Sequence, residues 1–229
     1  MILRDMSLAV GQIGDPRMRR VLLIGIGLSL LLFAGFYAGV WALIGALAPE
    51  SLTLPWIGDI GWLDTALRAV AGIGTVVIGF FVMIPLASTI ISLFLDDVAA
   101  AVEDKHYPAL PPARGTPFMT GLAEAAKFFV LMIAINLILL IFLFALPPVY
   151  PFAFYLGNGW LLGREYFNVA ALRRLDEASA RALYRRNSGQ IWLAGTLLAL
   201  PLSIPVVNLL VPVLGAATFT HLYHRLSGK

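Results

Sequence analysis

The chain has 229 residues, of which 60% are hydrophobic and only 13% charged, and its mean hydropathy is +0.88. A soluble domain carries about a quarter charged residues to cover its surface, so this composition excludes an ordinary water-soluble globule, and the same numbers exclude disorder. The absence of cysteine excludes a disulfide scaffold, a thiolate zinc site and a cysteine nucleophile; an integral membrane protein remains.

Residues 1–20 come first. Ile2, Leu3, Met6, Val10 and Ile13 recur at roughly helical spacing and predict an interfacial amphipathic helix, which the basic residues Arg17, Arg19 and Arg20 follow. Beyond them lie four stretches without Asp, Glu, Lys, Arg or His: 21–48, 69–95, 128–163 and 187–220. Each exceeds the ~20 apolar residues that cross a ~30 Å hydrocarbon layer. Ala46-Leu47-Ala48 before Pro49 resembles a signal cleavage site. The apolar run ahead of it is much longer than a ~7–15-residue signal core, so we read 21–48 as a resident spanning helix.

Proline separates the four stretches into two kinds, because an internal proline removes a helical hydrogen bond and clashes with the preceding turn. Stretch 21–48 has none, and 69–95 has only Pro85, which Ser88 and Thr89 can accommodate as a kink. These two are predicted to span. Asp96 to Tyr107 reads as a continuation of the second span, with Val98 and Val102 one turn apart, ended by Pro108, Pro111 and Pro112. Stretch 128–163 is broken by Pro147, Pro148 and Pro151, and 187–220 by Pro201, Pro205 and Pro212. The pieces of the last stretch are too short to cross; Phe128 to Leu146 alone is long enough to do so. Between the two stretches, 164–186 is a cytoplasmic connection in which Arg173 to Arg186 forms a short surface helix. Glu177 and Arg181 lie four apart on it, and its cationic face suits anionic headgroups.

Cations favour the cytoplasmic side. Arg4, Arg17, Arg19 and Arg20 place the amino terminus there, Arg225 and Lys229 the carboxyl terminus, and the arginines of 164–186 the connection. Pro49 to Arg68, with Glu50, Asp59 and Asp64 and the interfacial anchors Trp56 and Trp62, faces outward. The expected fold is therefore an all-α integral membrane protein with cytoplasmic termini. Residues 1–229 form one membrane domain of two long transmembrane helices and two proline-hinged, hemi-penetrating hairpins, six hydrophobic helices in all. Six full spans would keep the same topology.

Polar residues within the apolar stretches are candidates for function. Asn208, between Pro205 and Pro212, either closes a hairpin turn or lines a wet path, and Asn136 and Asn158 either extend such a path or join helices. Gly35 with Gly39, and Gly159 with Gly163, permit close helix approach and oligomerisation. His221 and His224 are three apart, but no further metal ligands accompany them, so they read as interfacial and no metal or cofactor is expected. No phosphate-binding loop, dinucleotide fingerprint, metalloprotease helix or serine nucleophile motif occurs, which argues against an enzyme; no nucleic-acid partner is expected either.

One run has a specific pattern: Ile204-Pro205, Asn208-Leu209, Pro212, then Gly215-Ala216-Ala217-Thr218. It resembles the closing hairpin of the CysZ-type sulfate permeases, which belong with the etoposide-induced membrane proteins. Gly159-Trp160-Leu161-Leu162 and Arg164-Glu165-Tyr166-Phe167 resemble the aromatic and acidic stretch that leaves that family's first hairpin. The resemblance implies a multi-pass bacterial inner-membrane protein that takes up sulfate for cysteine synthesis. It also implies an anion site just before the first long helix, at a glycine, an aliphatic residue and basic residues. Here Met18 takes the aliphatic position and Arg19 and Arg20 the basic end, while Arg17 stands where the family has glycine. Either the Arg17 guanidinium compensates, or the site is altered. From the residues alone, the same cluster is also what topology requires of a first span.

With no ionisable relay inside the four stretches, the expected mechanism is a channel-like or facilitated route for sulfate or a related oxyanion. The expected partners are that anion, membrane lipids and further copies of the chain. The competing expectation is a membrane scaffold or bilayer-shaping protein that transports nothing.

Overall fold

The computed structural model describes residues 1–47, 53–54, 58–59, 66, 69–70, 72–77, 79, 87, 90–113 and 118–228. They divide into two units, Met1–Leu22 with Ile91–Lys229, and Leu23–Ile90. The described residues are helical almost throughout. The outward segment around Trp56 and Trp62, Pro85 with Ser88 and Thr89, and Arg114 lie outside them.

Helix α1 covers Ile2–Gly11. A short turn at Gln12 to Asp15 leads into α2, Pro16–Leu47, of 32 residues. Its start follows from the local chemistry: Pro16 takes the first helical position, where its missing N–H costs nothing, and Asp15 accepts from the N–H of Arg17 at 2.9 Å. Within α2, Pro16–Leu43 has a hydropathy of 2.3, and among the described residues it is the one helix long and apolar enough to cross a membrane. Leu23, Leu30, Leu31, Phe36 and Leu43 are all exposed, so the helix is apolar around its circumference rather than along one stripe.

In the unit Leu23–Ile90, the two-residue strands β1 (Thr53–Leu54) and β2 (Gly58–Asp59) pair antiparallel, Thr53 opposite Asp59. Phe33, Tyr37 and Trp41 stack along one face of α2 with ring centroids 6.3 and 6.1 Å apart. Gly72 and Gly79 lie against this ladder: a Cβ on Gly72 would stand 2.8 Å from the Trp41 ring, and one on Gly79 would collide with Phe33.

The other unit holds the hydrophobic core. Helix α3, Leu95–His106, buries Leu95, Val98, Ala99 and Val102 on its inner face. It is a separate helix, not the expected continuation of the second span: a turn at Leu93 and Phe94 interrupts the chain, and Asp96 and Asp97 then complement a fresh helix dipole. Helices α4 (Phe118–Ala145) and α5 (Tyr150–Leu172) form the first hairpin, hinged at Pro147 and Pro148. Pro151 falls in the first turn of α5, where it breaks no hydrogen bond. The arms of 28 and 23 residues reach about 42 and 35 Å, so length alone does not hold this hairpin to half depth.

Helix α6, Glu177–Arg186, is shorter than the expected surface helix: Arg173 lies before it and is buried, and the helix starts at the Asp176 cap, which accepts from Ser179 N–H at 3.2 Å, and carries the Glu177–Arg181 ion pair at 2.5 Å. The second hairpin comprises α7 (Ser188–Ala199), a 3-10 turn (Leu200–Ser203), the single turn α8 (Pro205–Asn208) and α9 (Val211–Leu226). Its two longer arms measure only about 18 and 24 Å, as the proline spacing predicts.

Two contacts organise this unit. Helix α9 is buried nearly all round from Val211 to His224 and packs on α1, α3 and α5. Helices α5 and α7 approach through glycine. A Cβ on Gly195 would collide with the Gly159 carbonyl oxygen, and one on Gly163 would stand 2.6 Å from the Ile191 carbonyl oxygen. The Gly159/Gly163 pair thus closes an internal seam, whereas a Cβ added at Gly35 or Gly39 would meet nothing within 4 Å among the described residues. Trp192 ties the same seam by donating from Nε1 to the Leu156 carbonyl at 2.9 Å.

Candidate functional site

The basic cluster sits at the start of α2, where Met18 is fully buried and Arg17, Arg19 and Arg20 are exposed. The three arginines are not equivalent. Arg17 is committed twice, its N–H to Asp15 and its guanidinium to Asp104 of α3 at 2.5 Å. Among the described residues, Arg19 and Arg20 have no side-chain partner. A helix start is an anion-binding environment when its first-turn N–H groups are free, and here Asp15 has taken that of Arg17. What remains for an external anion is the pair of unpaired guanidiniums, with Arg17 held to the side.

The polar residues of the hairpins are dispersed. Asn136 on α4 and Asn158 on α5 each donate to the carbonyl four residues earlier in their own helix, Met132 at 2.8 Å and Phe154 at 2.9 Å. Among the described residues, neither side chain hydrogen-bonds to another helix. Asn208 ends α8, its main-chain N–H bonded to the Ile204 carbonyl at 2.8 Å. Pro205 opens that turn, and Pro212 lies in the first turn of α9, where it is buried. Tyr155 pins the hairpin tip through a 2.7 Å hydrogen bond with Ser203.

The densest assembly of charge was not anticipated from sequence. Glu103 of α3 is buried among Arg173 and Arg174, at the end of α5, and His224 of α9. Arg174 makes a fork on its carboxylate, Nε to Oε1 at 2.6 Å and Nη2 to Oε2 at 2.9 Å. His224 Nε2 meets Oε1 at 3.0 Å, and Arg173 reaches Oε2 at 3.5 Å while holding Asp96 at 3.0 Å. Burial disfavours the Glu103 carboxylate, but the hydrogen bonds from His224 and Arg174 and the two arginine charges outweigh it and hold its pKa at about 2.

Beside this knot, Tyr107 Oη lies 3.0 Å from His221 Nδ1, and His106 stacks edge-on against His221 at 4.8 Å. Burial and the neighbouring His106 and His224 push His221 down to about 4, so it is neutral at pH 7. The expectation of interfacial histidines is corrected here: His221 and His224 are 1% and 0% exposed. The physical reason is that α9, unlike a surface helix, is surrounded by α1, α3 and α5, so its polar residues are buried with it.

Asp5 of α1 is likewise buried and receives Arg225 at 3.0 and 2.8 Å, while Gln12 donates to the Ala101 carbonyl at 3.0 Å. The inner face of α1 is thus Asp5, Ala9 and Gln12 with Ile2 and Met6 beside them, and Leu3 and Val10 point outward. The sequence signal for these contacts was slight: Asp5, Glu103 and the histidines lie where apolar periodicity alone expects carbon. No group of three metal-ligating side chains occurs among the described residues.

The fold and site define a largely helical protein with an apolar helix of membrane-spanning length and a basic cluster at its start. Residues 6–212 match the family model described as Sulfate transporter CysZ/Etoposide-induced protein 2.4, and the chain belongs to that family. No individually curated protein aligns significantly with it.

Proposed function

We propose that the protein is a multi-pass inner-membrane protein that passes sulfate or a related oxyanion into the cytoplasm by a channel-like or facilitated route, feeding sulfur assimilation. In this reading it works as a homo-oligomer, performs no chemical step and draws the anion to Arg19 and Arg20. The observation that carries the reading is the contrast at the start of α2: Arg17 is paired with Asp104, while Arg19 and Arg20 stand exposed with no carboxylate partner among the described residues. Guanidinium forks match tetrahedral oxyanions, and family membership supplies the substrate class. The four apolar stretches supply the membrane, with α2 the clearest of them.

The test is flux. Protein reconstituted into liposomes should admit labelled sulfate above empty vesicles, and Arg19→Ala with Arg20→Ala should abolish most of the difference. One observation favours the scaffold reading: Asp15 occupies a first-turn donor that an anion would otherwise use. Under that reading the same liposomes show no flux at any sulfate gradient.

A further inference from the structure

Helices α5 and α6 enclose a cavity of about 70 Å³ outside both the α2 cluster and the Glu103 knot. Arg164 and Asn168 line it from α5, and Arg181 and Tyr184 from α6, over a floor of Leu172 and Ala180. Glu177 stands at its edge. The volume corresponds to roughly two waters of liquid, the scale of one tetrahedral oxyanion, and is far below the ~300–1,000 Å³ of a drug-sized ligand site.

The charges are arranged for an anion. Glu177 is the one carboxylate in the lining, and it is already met by Arg181 at 2.5 Å and by Lys127 at 3.4 Å. Arg164 is half-buried and, among the described residues, has neither an ion pair nor a hydrogen bond. A guanidinium withdrawn partly from water without a counter-charge is a costly arrangement that a bound anion relieves. Tyr184 adds a neutral hydroxyl of the kind that orients oxyanion oxygens.

We infer that this cavity is a second oxyanion site, which takes a single tetrahedral sulfate or phosphate group between Arg164 and Arg181. The group is either a free anion or the phosphate of an anionic lipid whose chains lie alongside the helices. The site is separate from Arg19 and Arg20 and does not depend on the transport reading.

The test titrates the full-length protein in detergent with inorganic sulfate and, in parallel, with dioctanoyl phosphatidic acid. In the Arg19→Ala/Arg20→Ala background, where the α2 cluster no longer contributes, binding of at least one probe should persist and should weaken at least ten-fold when Arg164→Gln is added. Arg164→Lys, which keeps the charge but loses the fork, should fall between. Circular dichroism matching the unchanged protein establishes that these variants are folded. Binding of sulfate identifies a free-anion site, and binding of the lipid alone a headgroup site. In that background, equal affinity with and without Arg164→Gln for both probes, or no binding of either, overturns the inference. Loss of flux in the Arg19/Arg20 variant with this binding intact separates the two sites.

Discussion

Glu103 and His224 meet at 3.0 Å across the interface of α3 and α9, with side chains only 7% and 0% exposed. Glu103 is central to its neighbours because it is the shared acceptor of three side chains from two segments, the end of α5 and α9, and Arg173 and Arg174 have no other buried carboxylate among the described residues. Such a knot contributes less to net stability than to uniqueness, since burying the charges costs much of what their attraction returns. Removing one partner is a different matter.

Glu103→Ala leaves the buried Arg174 guanidinium without its counter-charge and Arg173 with Asp96 alone, a change that typically costs about 3–5 kcal/mol. Thermal unfolding in detergent, followed by circular dichroism, should show a midpoint lowered by about 10 °C, at ~2–4 °C per kcal/mol for a chain of this size. Glu103→Gln, which keeps an acceptor and the shape, should lose distinctly less. An unchanged midpoint in the alanine variant would show that the knot is not closed in solution.

The same groups set the acid limb of stability in two windows. His221 has a folded pKa of about 4, below its ordinary 6.5, so the unfolded chain binds the proton first and stability falls as pH drops from about 6.5 to 4. Glu103, lowered from 4.5 to about 2, contributes stability that is full above 4.5 and is lost as pH falls toward 2. The Glu103 loss is on the order of 2 kcal/mol after allowance for solvent screening. Unfolding midpoints measured from pH 7 to 3 should show both declines, and His221→Phe should flatten the upper one alone.

The α5–α7 seam predicts a difference between glycines of similar sequence context. Gly195→Val places branched carbon against the Gly159 carbonyl and must force the helices apart, costing about 1–3 kcal/mol or more. A Cβ added at Gly35 meets nothing within 4 Å among the described residues. Midpoints should therefore fall by several degrees for the first and remain within a degree for the second; a loss at Gly35 would instead report contact with another copy of the chain.

How far the sequence reached can be seen in the same elements. Proline placed the hinges at Pro147–Pro148 and around Pro205 correctly, because these depend on neighbours in the chain, whereas the helix starts at Pro16 and after Asp176 differ from the expected Val21 and Arg173. The break at Leu93 and Phe94 was not legible, since no proline or glycine marks it. Nor was the burial of Glu103, Asp5 and His224. Their partners lie 71, 220 and 121 positions away, and apolar periodicity carries no information about which distant polar groups will meet. The arginines at the start of α2 were visible as a cluster, but that Asp104 takes Arg17 and leaves Arg19 and Arg20 required the packing of α3.

Asp15 offers the sharpest probe of that cluster. Its carboxylate caps α2 by accepting from Arg17 N–H, and it places a negative charge where an arriving anion would sit. Asparagine caps a helix about as well as aspartate, so Asp15→Asn removes the charge while keeping the turn. If sulfate binds at Arg19 and Arg20, its affinity in Asp15→Asn should rise about two- to five-fold, the effect of one charge at a helix terminus. Titration calorimetry in detergent at low ionic strength measures this, and added sodium chloride should shrink the difference because exposed charges are screened. An affinity that falls instead would mean that Asp15 orders the site rather than competing for it. Binding that is unaltered in Asp15→Asn and also unaltered in the Arg19/Arg20 variant would place the anion elsewhere on the protein, with the α5–α6 cavity the first place to look.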